Sequence, residues 1–163
     1  MDEHGRRLKR VLGVDPGTTR VGYAVLEGAK NHSVVASGVF TERGTNPAHQ
    51  LFLLHKRLRG VIRRTKPEAI AIEKLFFSKN VKTALAVAEA RGIILLTAEM
   101  SNLRVYEYTP QEIKIALTSR GNADKKQVAA MIRLLLHLSR LPKLDDETDA
   151  MAIALTALVS QPI

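Results

Sequence analysis

VLGVDPGTTRVGYAV (residues 11–25) decides the fold class, because it reads as two strands around a turn. Val11 to Val14 and Val21 to Leu26 are β-branched and aliphatic runs, and DPGTTR between them carries turn chemistry. A third strand is predicted at about residues 33–40, where Val34, Val35, Val39 and Phe40 are good strand formers. The stretch 42–47, with Gly44 and Asn46, is loop-like. Three consecutive strands before any helix suggest an antiparallel meander.

Downstream the period changes from two to about 3.6. A helix is predicted from about Ala48 to Thr65, with Leu51, Leu54, Leu58, Val61 and Ile62 on one stripe. Ala69 to Ile72 is a short apolar run ending at Glu73 and reads as a buried strand. A long helix follows over about 79–97, in which Ala84, Ala88 and Gly92 recur every four residues. That strip would admit a close helix neighbour, either within the subunit core or from another chain. Leu103 to Tyr106 is a further strand. Thr109-Pro110-Gln111-Glu112 and Asp124 to Gln127 are helix starts with capping chemistry, and a last helix begins near Asp145. The order β-β-β-α-β-α-β-α-α-α implies a mixed sheet covered by helices, an α/β domain. We expect a charged leader over residues 1–10 and a single domain over 11–160.

Composition narrows the chemistry. The 163 residues contain no cysteine, which removes disulfides, thiolate metal sites and thiol nucleophiles. Any metal must then be held by carboxylates, histidines or backbone oxygens, and the five histidines show no ligand spacing. No apolar run is long enough to span a bilayer, and MDEHGRRLKR is not followed by the apolar segment of a secretory signal. The expected location is therefore cytoplasmic. The net charge of +9 favours a polyanionic partner. Between Leu51 and Lys66 there are six basic residues (Lys56, Arg57, Arg59, Arg63, Arg64, Lys66) and no acid.

Four acids stand out against this basic background. Asp15 and Glu73 sit at strand ends, while Asp146 and Asp149 open the last helix on one face, three residues apart. Each has an ordinary reading alone: a turn aspartate, a solvated glutamate, an acid pair complementing a helix dipole. Together, if they converge, they would repel one another, and a bound hard cation would remove that penalty. Two such ions can activate water against a phosphodiester without any side-chain nucleophile.

Six motifs, in order and with matching gaps, then resemble the RuvC family of crossover-junction endodeoxyribonucleases. They are residues 11–25, AIAIEKLFFSKN (69–80), ALAVAEARG (84–92), YEYTPQEIKIAL (106–117), GNADKKQV (121–128) and DETDAMAIAL (146–155). The resemblance runs from about Val11 to Leu158. It implies an RNase H-like (retroviral-integrase type) fold, with a mixed five-stranded sheet flanked by helices. It further implies a Holliday-junction resolvase acting in recombination and repair, a homodimer that nicks two opposed strands of a four-way DNA junction. The nicks would leave 5′-phosphate and 3′-hydroxyl ends. The family's catalytic, metal-holding carboxylates fall on Asp15, Glu73, Asp146 and Asp149, with two Mg²⁺ ions, or Mn²⁺, as cofactor. Its DNA-contacting aromatic falls on Phe76, with Phe77 directly after it, and its two lysines fall on Lys114 and Lys125. The Ala84, Ala88 and Gly92 strip falls on the dimer-forming helix. The RuvA/RuvB branch-migration complex is the implied partner, and the nucleoid the implied place of action. Lys74 directly after Glu73 and the longer basic leader depart from the family pattern.

Three rivals were weighed on the same residues. DPGTT also resembles the phosphate loop of sugar kinases and actin-like ATPases, but those enzymes need two such domains, too many for this length. An RNA-directed nuclease of the same fold is opposed by the motifs over 73–80 and 121–128. A non-catalytic junction-binding module is opposed by retention of all four acids, each a liability beside DNA unless a metal neutralises it.

Overall fold

The computed structural model describes residues 8–17, 19–28, 31–41, 46–74 and 81–160. Their ten elements follow the predicted order. They are β1 (Arg10–Pro16), β2 (Arg20–Gly28), β3 (His32–Thr41), α1 (Pro47–Thr65), β4 (Ala69–Glu73), α2 (Val81–Glu99), β5 (Arg104–Tyr108), α3 (Pro110–Thr118), α4 (Lys125–Leu135) and α5 (Asp145–Val159). The first three strands form the expected meander, antiparallel throughout. The sheet order is β3-β2-β1-β4-β5, with β4 parallel to both β1 and β5. This is the RNase H-like mixed sheet. Leu8 is buried and Arg10 already pairs in β1, so the final residues of the expected leader pack with the domain.

Side-chain size sorts the helices between the two faces of the sheet. Leu12, Val14, Val25, Ile70 and Ile72 project to one face and build a core with α1 and α2. The opposite face is made of small residues: Gly13, Gly22, Ala24, Ala69 and Ala71. Against it lies α5, whose residues Ala150 to Leu158 are all buried, with alanine at 150, 152, 154 and 157. Small residues on both sides let a helix approach the strands at backbone distance. A Cβ at Gly13 would stand 2.2 Å from the Ala150 carbonyl oxygen, and one at Gly22 would stand 1.9 Å from that of Asp146.

The helix starts form as their sequences dictate. Thr109 with Glu112, and Asp124 with Gln127, close reciprocal capping boxes at α3 and α4. Asn46 caps α1 by accepting from the His49 N–H, with Pro47 in the first turn. α5 has no side-chain cap; Asp145, Asp146 and Glu147 fill its first turn instead. Negative charge is favourable at that end of the helix dipole.

The glycine seam should be costly to fill. We expect Gly22→Ala to lose at least about 2 kcal/mol in urea unfolding, since it overpacks against α5 backbone. Gly60→Ala, in α1 where an added Cβ meets nothing within 4 Å, should gain about 0.5–1 kcal/mol. Equal stability of the two variants would refute the close-approach account.

Candidate active site

Sheet register brings the first two acids together. Val14 of β1 is aligned with Ile72 of β4, so Asp15 and Glu73, one residue on, stand at the same edge. Asp15 pairs across the hairpin with Gly22, and Gly22 is where the backbone of Asp146 rests. The glycine seam therefore lowers the start of α5 onto the strand that carries Asp15. Asp149 follows on the same helix face and shares a cleft with Glu73, Lys114 and Lys125. All four acids are half-buried.

The electrostatics show this convergence directly. Burial, then the charges of Asp149, Glu73 and Asp146, push the Asp15 carboxyl up to about 7, against a smaller opposing pull from Lys125. Burial and then Asp149 raise Glu73 above the usual carboxylate range. Asp149 is raised by burial as well, although Lys125 donates to it and lowers it. Lys125, the first residue of α4, reaches Asp149 Oδ2 and Asp145 Oδ2, each at 3.1 Å. Partial burial opposes its charge, but its bonds to these two carboxylates hold its pKa above the usual lysine value. One ammonium shared between two acids leaves the other carboxylates under-compensated.

The donor set suits a hard cation. It consists of carboxylate oxygens, the ligand type preferred by Mg²⁺ and Mn²⁺. Asp146 Oδ2 is buried and has no aligned hydrogen bond, even though Arg20 Nε lies 3.1 Å away as an ion pair. An acceptor in contact with a cation but not hydrogen-bonded retains capacity for a further positive ligand. Among the described residues no three acids or histidines are drawn in around one point that could hold a metal ion. Arg20 and Lys125 hold Asp146 and Asp149 in this arrangement.

The structure thus gathers Asp15, Glu73, Asp146, Asp149, Lys114 and Lys125 at one edge. Phe76 and Phe77 lie outside the described residues. Lys74 is exposed, and its charge acts on Glu112 at the head of α3. Its backbone N–H donates to the Tyr108 carbonyl. Sequence reasoning missed Arg20 and Asp145. Arg20 resembles any surface cation until the hairpin returns it to the edge occupied by Asp15. The third acid of the first turn, Glu147, is taken by the Ser37 hydroxyl of β3 at 2.6 Å, away from the cluster.

Known proteins match this chain along most of its length. The family model described as "Crossover junction endodeoxyribonuclease RuvC" matches residues 11–157. The chain belongs to the RuvC family. A relative of that name from Pseudothermotoga lettingae is 49% identical over 146 residues, covering 88% of this chain and 90% of the relative. One from Caldanaerobacter subterraneus subsp. tengcongensis is 43% identical over 148 residues, covering 90% of each. Among solved structures, Thermus thermophilus RuvC in complex with a Holliday junction substrate superimposes with a TM-score of 0.86 at 36% identity. That match covers 91% of this chain and 92% of the other. The yeast mitochondrial Holliday junction resolvase Ydc2 shares the fold, with a TM-score of 0.68 at 14% identity over 94% of this chain and 78% of its own.

The raised carboxylates carry a pH signature. An acid whose folded pKa exceeds its unfolded value binds its proton more tightly when folded. Its contribution to stability is greatest below the unfolded pKa and is lost as pH rises through the folded one. For Asp15 that window runs from 3.8 to about 7. In metal-free protein we expect the Asp15 carboxyl carbon to titrate near neutral pH by NMR. Asp15→Asn should raise stability at pH 8 by roughly 1–3 kcal/mol and have little effect at pH 4. Titration near the ordinary carboxylate value would disprove the convergence.

Proposed function

We propose that the chain is a Holliday-junction resolvase. It would nick two opposed strands of a four-way DNA junction symmetrically in recombination and repair, leaving 5′-phosphate and 3′-hydroxyl ends. The single observation behind this reading is the crowding of Asp15 by three other carboxylates at the edge where β1, β4 and α5 meet. Membership of the RuvC family gives that cluster its chemical context.

Asp15, Glu73, Asp146 and Asp149 would hold the metal, two Mg²⁺ ions or Mn²⁺ in their place. Bound there, the ions supply Lewis acidity for activating water and stabilising the departing 3′ oxygen. The protein's own groups set the rest. Asp15 would hold the metal in its ionised form, because metal binding favours the deprotonated carboxylate. Lys125, released from Asp149, is positioned to meet a phosphate oxygen at the N-terminus of α4, where free N–H groups also point outward. Lys114 in the same cleft adds a second positive contact. Phe76 and Phe77, which follow Glu73 in sequence, are the candidates for stacking on an unpaired base at the crossover. Hydrolysis breaks the bond from phosphorus to the 3′ oxygen, so the phosphate stays on the 5′ end and both ends can be religated.

Two nicks require two sites, and α2 supports a homodimer. Ala90, Ile94, Thr97 and Ala98 face its own core. On the other side Leu85, Leu96 and Met100 are 61%, 53% and 61% exposed, and Gly92 opens onto empty space. Ala84 and Ala88 are only half-buried, so the small-residue strip leans toward this outer face. Exposed leucines gathered on one helix face are normally covered, and here they flank Glu89 and Gly92 on that face. The RuvA/RuvB branch-migration complex is the partner proposed to deliver the junction, in the cytoplasm at the nucleoid.

The test is cleavage of a labelled four-way junction beside a matching linear duplex and an RNA duplex in Mg²⁺. Paired nicks confined to the junction are expected. Glu73→Gln and Asp146→Asn should lower the rate by at least about 100-fold while junction binding persists. Binding without cutting would favour a junction-binding module, and cleavage of RNA alone would overturn the substrate. Independently, Leu85→Glu with Leu96→Glu should convert a dimer to a monomer in sedimentation and uncouple the two nicks. An unchanged sedimentation coefficient would remove α2 from the interface.

A further inference from the structure

One feature of the sequence is not used by the active site: the acid-free basic helix α1. Its buried side consists of Leu54, Leu58, Val61, Ile62 and Thr65. Lys56, Arg59 and Arg63 follow at spacings of three and four, so they stack along the opposite side, and all three are exposed. Among the described residues none of the three has an ion-pair partner. Like charges three and four residues apart destabilise a helix, and among the described residues no acid pairs with them to offset the repulsion. Gly60 lies on the same outer side, one turn after Lys56 and just before Arg63, and a Cβ there would meet nothing. A glycine within an exposed helix weakens it. Here no packing within the chain requires it. Its effect is to leave a bare stretch of helix surface between cations, into which another backbone can settle.

The position of α1 ties this face to the acid cluster. β3 ends at Thr41, paired with Arg20, so α1 begins at the edge where Asp15 stands and returns to the far edge where β4 starts. Its first turns share a hollow with the β1–β2 hairpin, where Pro47, Gln50 and Leu51 face Gly17, Thr19 and Arg20. The basic row therefore leads away from the site along the flank of the domain. From His49 to Arg63 a helix advances about 21 Å, roughly the length of six base pairs.

We infer that the outer face of α1 is a second DNA-binding surface, which receives the phosphate backbone of a junction arm several base pairs from the crossover. The inference rests on the proposed junction specificity for its substrate and goes beyond it in assigning a distal contact. The partner is duplex DNA on grounds of charge and shape. Regularly spaced cations on a straight helix match a regularly spaced polyanion, and the open position at Gly60 fits an approaching backbone.

The test uses the full-length protein with Lys56→Gln, Arg59→Gln and Arg63→Gln combined. Junctions with arms of about 20 base pairs would be compared with short-armed junctions closed by hairpin loops after about 3, because the row starts at Lys56, about 10 Å beyond His49 along the helix. Affinity for the long-armed junction should fall about tenfold or more. Its dependence on log salt should become shallower by about 2 to 3, one phosphate contact per lysine or arginine removed. Affinity for the short-armed junction and the cleavage rate at saturation should stay as in wild type. Gly60→Glu, which keeps the three cations, should reproduce the arm-length effect and guards against misfolding of the triple variant. Equal loss on both junctions, or no loss on either, would overturn the inference. If wild type does not distinguish junctions from linear duplex, the resolvase reading fails on its own. The length dependence on linear duplexes then decides the role of α1. A defect restricted to RNA duplex would assign the surface to another polyanion and also overturn the inference.

Discussion

Everything at the candidate site depends on how closely α5 can lie on β1 and β2. A helix that met ordinary side chains would sit about 10 Å from a sheet, too far for Asp146 and Asp149 to share charge with Asp15. Gly13 and Gly22 remove the side chains at the two points of contact, and the alanines of α5 remove them from the other side. The acids then lie close enough to shift one another's protonation. The same closeness explains why α5 is buried on every side beyond its first turn. It fills the core that the glycines leave open, and its acidic N-terminus and Val159 at its other end reach the surface. Packing and chemistry are thus one constraint here, because the residues that seat the helix also set the spacing of its carboxylates.

That spacing is unfavourable for the protein without metal. Two of the four acids are paired with cations, and neither cation fully satisfies its partner: Lys125 is divided between Asp145 and Asp149, and Arg20 touches Asp146 without an aligned hydrogen bond. Clustered like charges at functional sites are commonly maintained at the expense of stability. In the proposed function these carboxylates would hold a divalent ion that would offset the repulsion, and Arg20 and Lys125 would then be available to phosphate. Their present partners and their proposed ones are both anionic oxygens, so the exchange needs no new kind of interaction. The net charge of +9 does not contradict an acidic centre. The basic row of α1 lies on the flank, and the four acids occupy one edge.

Much of this was legible in the sequence because local rules and global fold agree. Period-two runs became β1 to β3, the stripe from Leu51 to Ile62 became the buried side of α1, and the capping signals at Thr109 and Asp124 formed as boxes. The four acids could be selected because each stands at an element boundary beside apolar residues. Their convergence could not be read directly, since it follows from the parallel register of β1 and β4 and from the seating of α5, both set by distant parts of the chain. Arg20 was invisible for the same reason. Its meeting with Asp146 joins residues far apart in sequence, and no local pattern marks it. The small residues of α2 were legible as a strip, but spacing alone leaves open which neighbour they face. The exposure of Leu85 and Leu96 is what turns that strip outward.

The two faces of the sheet divide the work by residue size. The small face seats α5 and builds the acid cluster. The large face, with its leucines, isoleucines and valines, holds α1 and α2 one layer away, so their outer sides remain available. Those outer sides differ in kind. That of α2 carries exposed leucines and Gly92 beside Glu89, and among the described residues no helix is long and apolar enough to cross a membrane, so burial against protein is the fitting use for it. That of α1 is cationic and acid-free, which suits neither a core nor a self-association surface, because two copies facing each other would repel. A chain that pairs through α2 would present two acid edges related by a two-fold axis, each with a basic flank leading away from it. A four-way junction has the same symmetry in its crossover and its arms. The excess positive charge then has a place in the proposed function, since it extends the grip on DNA beyond the reach of Lys114 and Lys125.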